Sequence, residues 1–441
     1  MLFRSFAAAL HGPALAGLGL VGSLATPLLV STNNPNPWAL TIYLAVVSGA
    51  SYGLAHVRRW LWLAVATSVG AAIWSVGYIS SLHGALGTSF FQAGALHVLF
   101  AMALAIWFVV IEPWRGADPE QTGPDGAATL IPGGFALIAQ VLMFEGARHG
   151  QFGAGWVLFA ALMTLMLAGA GFLSAPATAV AGVAGLFVVA TLRAWPGTFA
   201  TDIAWRLPDW SLAHWVAPVD QGLYIAFALA GALGLAAACA LRLLAPGRMN
   251  YLSACIFAAT AALTPLLSLI IAWLRFGQFE TSYTFAALAA GLGVVFVFAT
   301  QTFRARVGDQ PAPERLPAHA LGLGASAAAT IASLALALVF ALDGGTLTVA
   351  LALSALGSAY VAAKLEIPAL RWCVAALGVV VAARLAWEPR IVGEALGKTP
   401  VLNWLLVGYG VPALAFWLSA RLMRREDGVE DRKSTRLNSS H

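Results

Sequence analysis

The chain has 441 residues, of which 60% are hydrophobic and only 10% are charged. A soluble domain carries about 25% charged residues and about 45–50% apolar ones, so this composition excludes a water-soluble globular protein and makes membrane lipid the expected partner. The formal net charge of +5 suggests no nucleic-acid partner, because the basic residues stand at the ends of apolar runs, where topology signals belong.

The first clear element is a hairpin of two apolar helices. An apolar stretch from Gly17 to Val30 meets a polar segment from Ser31 to Pro37, and Trp38 opens a second apolar stretch. The prolines and asparagines of the polar segment cannot continue a helix and supply turn chemistry. The sequence therefore predicts two membrane helices joined by a tip in water.

The same unit repeats along the chain. A membrane span needs about 20 apolar residues to cross about 30 Å of hydrocarbon. The sequence predicts an all-α fold, a polytopic integral membrane helix bundle of about 14 transmembrane helices, at residues 13–31, 37–55, 60–80, 91–111, 127–146, 153–172, 175–193, 221–244, 251–274, 282–304, 319–341, 345–363, 368–387 and 400–423.

The two ends of the chain do not follow this pattern. Residues 1–11 are a doubtful N-terminal end, and residues 426–441 are predicted to be a disordered tail whose last ten residues resemble a translated sequencing-adapter segment. We leave both ends out of the fold and assign residues 12–425 to one multi-span membrane domain. We expect the chain to be a fragment of a longer protein.

The orientation follows from the basic residues in the connections. Lysine and arginine are roughly twice as frequent on the side of residue 1 as on the other side, which predicts that this side is cytoplasmic. With an even number of spans, both ends of the chain are then cytoplasmic. The predicted location is a bacterial inner membrane.

One outer connection, from Ala194 to Gln221, is rich in tryptophan and aspartate. Tryptophan prefers the headgroup zone, because its ring is apolar and its N–H needs a partner. We therefore predict a segment in the outer interface, either an aromatic anchor without a ligand or a stacking platform for a sugar or lipid headgroup. The segment is indicated by Trp205, Arg206, Asp209, Trp210 and Trp215, and the same connection also carries Trp195, Asp202, His214 and Asp220.

Further polar residues are predicted at the outer ends of spans. They are Glu145, Arg193, Arg384 and Glu388. Arg384 and Glu388 stand four residues apart, so they are able to pair on one helix face. Together with the tryptophan-rich connection, these residues form the candidate outer-face site, a polar vestibule. The alternative interpretation is snorkelling and local ion pairing at helix ends.

Ionisable residues inside the spans are scarce. The sequence places no aspartate or glutamate at the middle of a span, which disfavours an ion-coupled carrier. His97 lies well inside a span and is predicted to be a neutral histidine bonded to a neighbouring helix rather than a proton relay.

Prolines inside apolar runs predict kinks. They are Pro27, Pro132, Pro265 and Pro412, and the group Pro132, Gly133 and Gly134 is the strongest indication of a broken helix.

The sequence gives no indication of a cofactor. The three cysteines, Cys239, Cys255 and Cys373, lie inside apolar runs and do not stand at metal-ligand spacing. We therefore predict no disulfide framework, no metal site, no cofactor and no catalytic residues.

Two stretches carry a resemblance to a known family. The hairpin from Gly22 to Leu40 and the late stretch from Leu402 to Ala413 resemble the bacterial predicted membrane protein family called domain of unknown function 2339. The resemblance covers Gly12 to Arg425. Members of the family are usually longer and have no established activity, so the resemblance implies a membrane fold and no catalytic residues.

Two classes of function remain open. The leading hypothesis is a non-enzymatic membrane protein, either a permease-like carrier or an envelope scaffold, because the chain combines many spans and kinks with no catalytic constellation. The competing hypothesis is a membrane enzyme that acts on lipid-linked sugars or lipid headgroups at the outer face. The first outer loop, Ser31 to Pro37, has no acidic residue, which counts against the enzyme. A small-molecule, lipid or sugar ligand is compatible with both classes.

Overall fold

The structure is a computed structural model. It describes residues 12–30, 36–82, 87–111, 123–197, 217–245, 247, 249–277, 280–308, 316–342, 344–365, 370–387 and 406–423.

Fourteen helices follow one another through the described part of the chain. They are α1 Pro13–Leu29, α2 Pro37–Arg58, α3 Leu61–Leu82, α4 Gly87–Ala105 with the π-helical turn Ile106–Ile111, α5 Gly126–Arg148, α6 Ala154–Leu173, α7 Ala179–Ala194 after the 3-10 turn Ala175–Ala177, α8 Gln221–Leu244 with the π-helical turn Leu229–Leu233, α9 Tyr251–Gly277, α10 Tyr283–Val307, α11 Pro317–Ala341, α12 Gly344–Leu365, α13 Leu370–Trp387 and α14, residues 406–423.

The predicted fold class is confirmed. Within the described ranges, 11 helices are long and apolar enough to cross a membrane, and α1 is a shorter apolar helix. The β-structure of the same ranges is one isolated bridge between Gly197 and Pro218. The protein is thus an all-α, polytopic membrane bundle, in which helices satisfy their own backbone hydrogen bonds within lipid.

Polar residues at the connections explain where two of the helices begin. The Asn36 side chain accepts hydrogen bonds from the backbone N–H groups of Trp38 and Ala39 at 3.0 and 3.3 Å, and Pro37 takes the first helical position of α2. Asp125 accepts from the N–H of Ala128 at 2.9 Å at the start of α5. Both side chains satisfy N–H groups that a helix start leaves unpaired.

The proline in α1 is compensated by the neighbouring helix. Pro27 has no N–H to donate to the carbonyl of Ser23, four residues earlier. The hydroxyl of Tyr43, on α2, donates to that carbonyl at 2.7 Å instead. The helical hairpin predicted from the sequence is thereby joined by a specific hydrogen bond.

The predicted helix break at Pro132, Gly133 and Gly134 is wrong. Helix α5 runs from Gly126 to Arg148 without interruption and includes Pro132. Pro132 has no N–H to give to the carbonyl of Ala128, four residues earlier, but the helix continues on both sides of this missing bond.

The contacts divide the chain into two compact units. Unit 1 contains residues 1–242 and 246–260, and unit 2 contains residues 243–245 and 261–441. The division falls within α9, between Thr260 and Ala261.

Polar side chains join the helices of unit 1. Thr41 of α2 and Tyr78 of α3 share a hydrogen bond of 2.6 Å, and the Tyr52 and Ser68 hydroxyls share another of 2.6 Å. The amide of Gln140, on α5, donates to the hydroxyl of Thr191, on α7, at 2.7 Å. Such interhelical bonds supply specificity where lipid provides no hydrophobic driving force between helices.

Small residues let helices approach closely in unit 2. Gly322 of α11 lies against the ring of Phe303 on α10, and Gly293 of α10 lies against Ser333 on α11. A hydrophobic cluster of Leu266, Leu292, Phe296 and Ala329 joins α9, α10 and α11. A second cluster joins α11, α12 and α13 through Ala335, Leu347, Leu351 and Val381.

Candidate functional site

A stripe of buried polar residues runs along α9. Its members are Ser253, Thr260, Thr264, Ser268 and Arg275, and each is at most 6% exposed. The spacing of four or seven residues places them on one face of the helix. From Ser253 to Arg275 the helix rises roughly 33 Å, close to the thickness of the hydrocarbon core. We call this set the α9 polar stripe.

The middle of the α9 polar stripe carries unused hydrogen-bonding capacity. The hydroxyl of Ser268 is buried and has no hydrogen-bond partner among the described residues. Three residues earlier, Pro265 has no N–H to give to the carbonyl of Ala261. A buried polar group without a partner costs free energy, so these groups indicate that α9 is built for more than packing.

One end of the stripe is closed by aromatic rings. Phe257 lies on the same face as Ser253 and Thr260 and is fully buried. Its ring stacks on Phe172 of α6, with centroids 5.5 Å apart. Ser253 itself shares a hydrogen bond of 2.9 Å with Thr178. The start of the stripe is therefore occupied by packed rings and a paired hydroxyl, and the Thr260 hydroxyl donates to the carbonyl of Ile256 at 2.8 Å.

The opposite face of α9 is apolar. Leu266 belongs to the hydrophobic cluster with α10 and α11, and the partly buried Ala262 and Leu269 pack against that cluster. Leu263, between the two faces, is 53% exposed. Helix α9 thus has three faces: a buried polar face, a buried apolar face and an exposed edge between them.

Glu145, predicted at the outer face, is a buried carboxylate. It is 9% exposed in the last turn of α5, and its oxygens lie 3.3 Å from the Arg148 guanidinium and 3.9 Å from the His149 ring nitrogen. Arg148 also lies over the ring of Phe144, 5.8 Å from its centroid. Local ion pairing of this kind is the alternative to a ligand site that the sequence analysis gave for Glu145.

An aromatic cluster lies at the same end of unit 1. Trp195, the first tryptophan of the long connection, is 1% exposed. Its ring contacts Phe152, Trp156 and Tyr224, with centroids 5.3–5.5 Å apart. Edge-on contacts with three rings make Trp195 part of the packed interior of unit 1.

The same tryptophan holds the two ends of the long connection together. The indole N–H of Trp195 donates to the carbonyl of Val219 at 2.8 Å, and the N–H of Val219 donates to the carbonyl of Pro196 at 2.9 Å. The bridge between Gly197 and Pro218 completes this closure. Trp195 to Gly197 therefore lie next to Pro218 and Val219.

Several candidate residues lie outside the described part of the chain: Asp202, Trp205, Arg206, Asp209, Trp210, His214, Trp215 and Glu388. Their assignment to an outer-face site stays a prediction. Of the other candidates, Arg193 is exposed in the last turn of α7, in unit 1. Arg384 is half-buried in the last turn of α13, in unit 2.

His97 has the partner that the sequence predicted. It is 2% exposed, and its Nε2 lies 3.1 Å from the carbonyl of Ala71 on α3. A carbonyl accepts only, so Nε2 carries the proton. The hydroxyl of Ser75 donates to the same carbonyl at 2.9 Å.

No grouping typical of a metal site occurs among the described residues. Where side chains are described, no three histidine, cysteine, aspartate or glutamate residues come together to hold an ion. All three cysteines are free thiols.

Comparison with known families gives a match over almost the whole chain. The sequence profile of the family described as predicted membrane protein (DUF2339) matches residues 1–194 and 170–436. The chain belongs to this family. No curated protein and no solved structure is significantly similar to this DUF2339 member. The resemblance inferred from the two stretches of sequence is confirmed.

The most informative feature of this DUF2339 protein was missed in the sequence. Ser253, Thr260, Thr264 and Ser268 stand at helical spacing in a span that hydropathy describes only as apolar. Their regular spacing is the signal that would have found the α9 polar stripe. Hydropathy averages over a window and therefore hides a narrow polar face.

Proposed function

We propose that the protein is a non-enzymatic, permease-like protein of a bacterial inner membrane, in which the α9 polar stripe lines a path for a small polar solute. The observation that carries this proposal is the stripe itself. A buried polar group without a partner is costly, the Ser268 hydroxyl is such a group among the described residues, and the stripe has the length of a membrane crossing.

The chemistry of the stripe favours an uncharged or weakly charged solute. Three of the four members from Thr260 to Arg275 carry hydroxyl groups, which donate and accept hydrogen bonds. The buried charged side chains among the described residues are Glu145 and Arg275, so none of them lies near the midpoint of a helix. Proton- or sodium-coupled transport through a carboxylate in mid-membrane is therefore disfavoured.

The path is tested by thiol accessibility. In a background with Cys239, Cys255 and Cys373 replaced by alanine, Ser268→Cys and Thr264→Cys are treated with a charged methanethiosulfonate in membrane vesicles. We expect both to react about tenfold faster than the controls, because only a thiolate in contact with water reacts well.

Two positions on α9 serve as matched controls. Leu266→Cys tests the apolar buried face, and Leu263→Cys tests the exposed edge, which faces lipid in a membrane. Equal reactivity at Ser268→Cys and Leu266→Cys would remove the water-lined path and leave the envelope scaffold as the better function.

The same proposal includes the orientation of the chain. The excess of lysine and arginine on the side of residue 1 supports a cytoplasmic location for both ends. The aromatic cluster around Trp195 and the residues 198–216 would then lie on the outer side.

A membrane enzyme that acts on lipid-linked sugars or lipid headgroups is the second candidate. The observation in its favour is the pairing of Trp195 and Gly197 with Val219 and Pro218, since the sequence between these residues is rich in tryptophan and aspartate, which suit a sugar. Replacing Asp202, Asp209 and His214 together tests it. Loss of a sugar-transfer phenotype supports the enzyme, whereas unchanged lipid-linked intermediates exclude it.

A further inference from the structure

The turn between α2 and α3 carries two adjacent arginines. Arg58 ends α2, Arg59 follows it, and Trp60 precedes α3. Both arginines are exposed, and neither has an ion-pair partner among the described residues. The sequence contains no aspartate or glutamate before Glu112. Among the described residues of α1 to α4, the two guanidinium groups therefore meet no carboxylate.

Two tryptophans frame the arginines. The Arg58 guanidinium carbon lies 5.9 Å from the centroid of the Trp60 ring, and the Trp60 and Trp62 rings are 6.1 Å apart. Trp62 also lies against Gly17 of α1, where the absence of a side chain leaves room for its ring. Cation–π contact restrains a guanidinium while its N–H groups stay available, and tryptophan prefers the headgroup level of a membrane.

The backbone at Arg59 carries strain that glycine would relieve. Arg59 has φ 53° and ψ 39°, in the left-handed region, at the position where a helix end usually has glycine. Left-handed backbone costs an ordinary residue about 1–2 kcal/mol. Strained residues cluster at functional positions. An arginine in this conformation therefore indicates that its side chain has a binding role.

We propose that Arg58, Arg59, Trp60 and Trp62 bind the phosphate of an anionic phospholipid in the leaflet on the α2–α3 side. Guanidinium groups bind phosphate oxygens through paired, charge-assisted hydrogen bonds. The tryptophan rings lie where the glycerol and upper acyl chain of the same lipid would pass. The lipid source follows from the position of the turn, which directly joins two membrane helices with only Arg59 and Trp60 between them.

The test compares headgroups on the purified full chain in detergent. Phosphatidylglycerol and phosphatidylcholine with identical acyl chains are added, and the shift in melting temperature is measured. We expect phosphatidylglycerol to stabilise the protein and phosphatidylcholine to have little effect. The Arg58→Gln/Arg59→Gln double variant should lose the phosphatidylglycerol shift, whereas Arg304→Gln/Arg306→Gln, a matched pair of exposed arginines on α10, should keep it.

Arg59→Gly separates binding from folding. It removes the strained side chain, so the lipid-free melting temperature should stay the same or rise, while the phosphatidylglycerol shift falls. Equal loss of the shift in both double variants would show a general charge effect and overturn the proposal. An equal shift with phosphatidylcholine would do the same. A matching shift with soluble glycerol phosphate would assign the turn to a free phosphate ligand instead of a lipid.

Discussion

At the scale of single residues, the structure shows how a membrane protein keeps its backbone satisfied without water. The carbonyl that Pro27 leaves without a helical donor accepts from Tyr43. The carbonyl of Ala71 accepts from both His97 and Ser75. An unpaired carbonyl in hydrocarbon costs several kcal/mol, so a single side chain from a neighbouring helix decides whether a proline is tolerated.

We predict that Tyr43→Phe destabilises the protein by about 0.5–2 kcal/mol, the range of interhelical hydrogen bonds in membranes. Pro27→Ala restores the missing N–H, and in that background Tyr43→Phe should cost much less. Unfolding of the single and double variants in a denaturing detergent measures the coupling. Tyr283→Phe, at an 80% exposed position, is the control. Additive effects of the two substitutions would contradict the compensation.

At the scale of the helices, the positions of the apolar helices were predictable from the sequence. Which side chains of each helix contact a neighbouring helix was not. The run predicted at 91–111 ends at Ile111, as does the π-helical turn of α4. Hydropathy reports membrane depth, because lipid selects apolar residues along the whole length of a span. It contains little information on which face meets a neighbour, and so the burial of Trp195 and the α9 polar stripe went unpredicted.

The close approach of α10 and α11 gives a second prediction. Gly322→Ala places a methyl group against the Phe303 ring, which should destabilise unit 2 by about 1–3 kcal/mol through overpacking. Gly291→Ala, on α10, is the control, because no atom lies within 4 Å of the added methyl group. There the higher helix propensity of alanine should raise stability by up to about 1 kcal/mol. Equal melting temperatures for the two variants would contradict the packing described.

At the scale of the whole molecule, the sequence predicted the fold class, with about 14 spans against 11 candidate spans among the described helices, and only part of the candidate site. Glu145 is placed in a local pairing with Arg148 and His149, which the sequence had offered as one of two arrangements. The tryptophans and aspartates of residues 198–216 lie outside the described part of the chain. A polar connection obeys no helical period, so its own sequence does not fix where its side chains lie.

The measurement that tests the membrane architecture most directly is a pair of topology reporters. Three helices, α8, α9 and α10, separate Asp209 from Arg306. An alkaline phosphatase fused after Asp209 should be active, and one fused after Arg306 should be inactive, because phosphatase folds only outside the cytoplasm. Green fluorescent protein at the same two positions should give the reverse pattern. The same compartment for both positions would contradict a bundle in which each of these helices crosses the membrane.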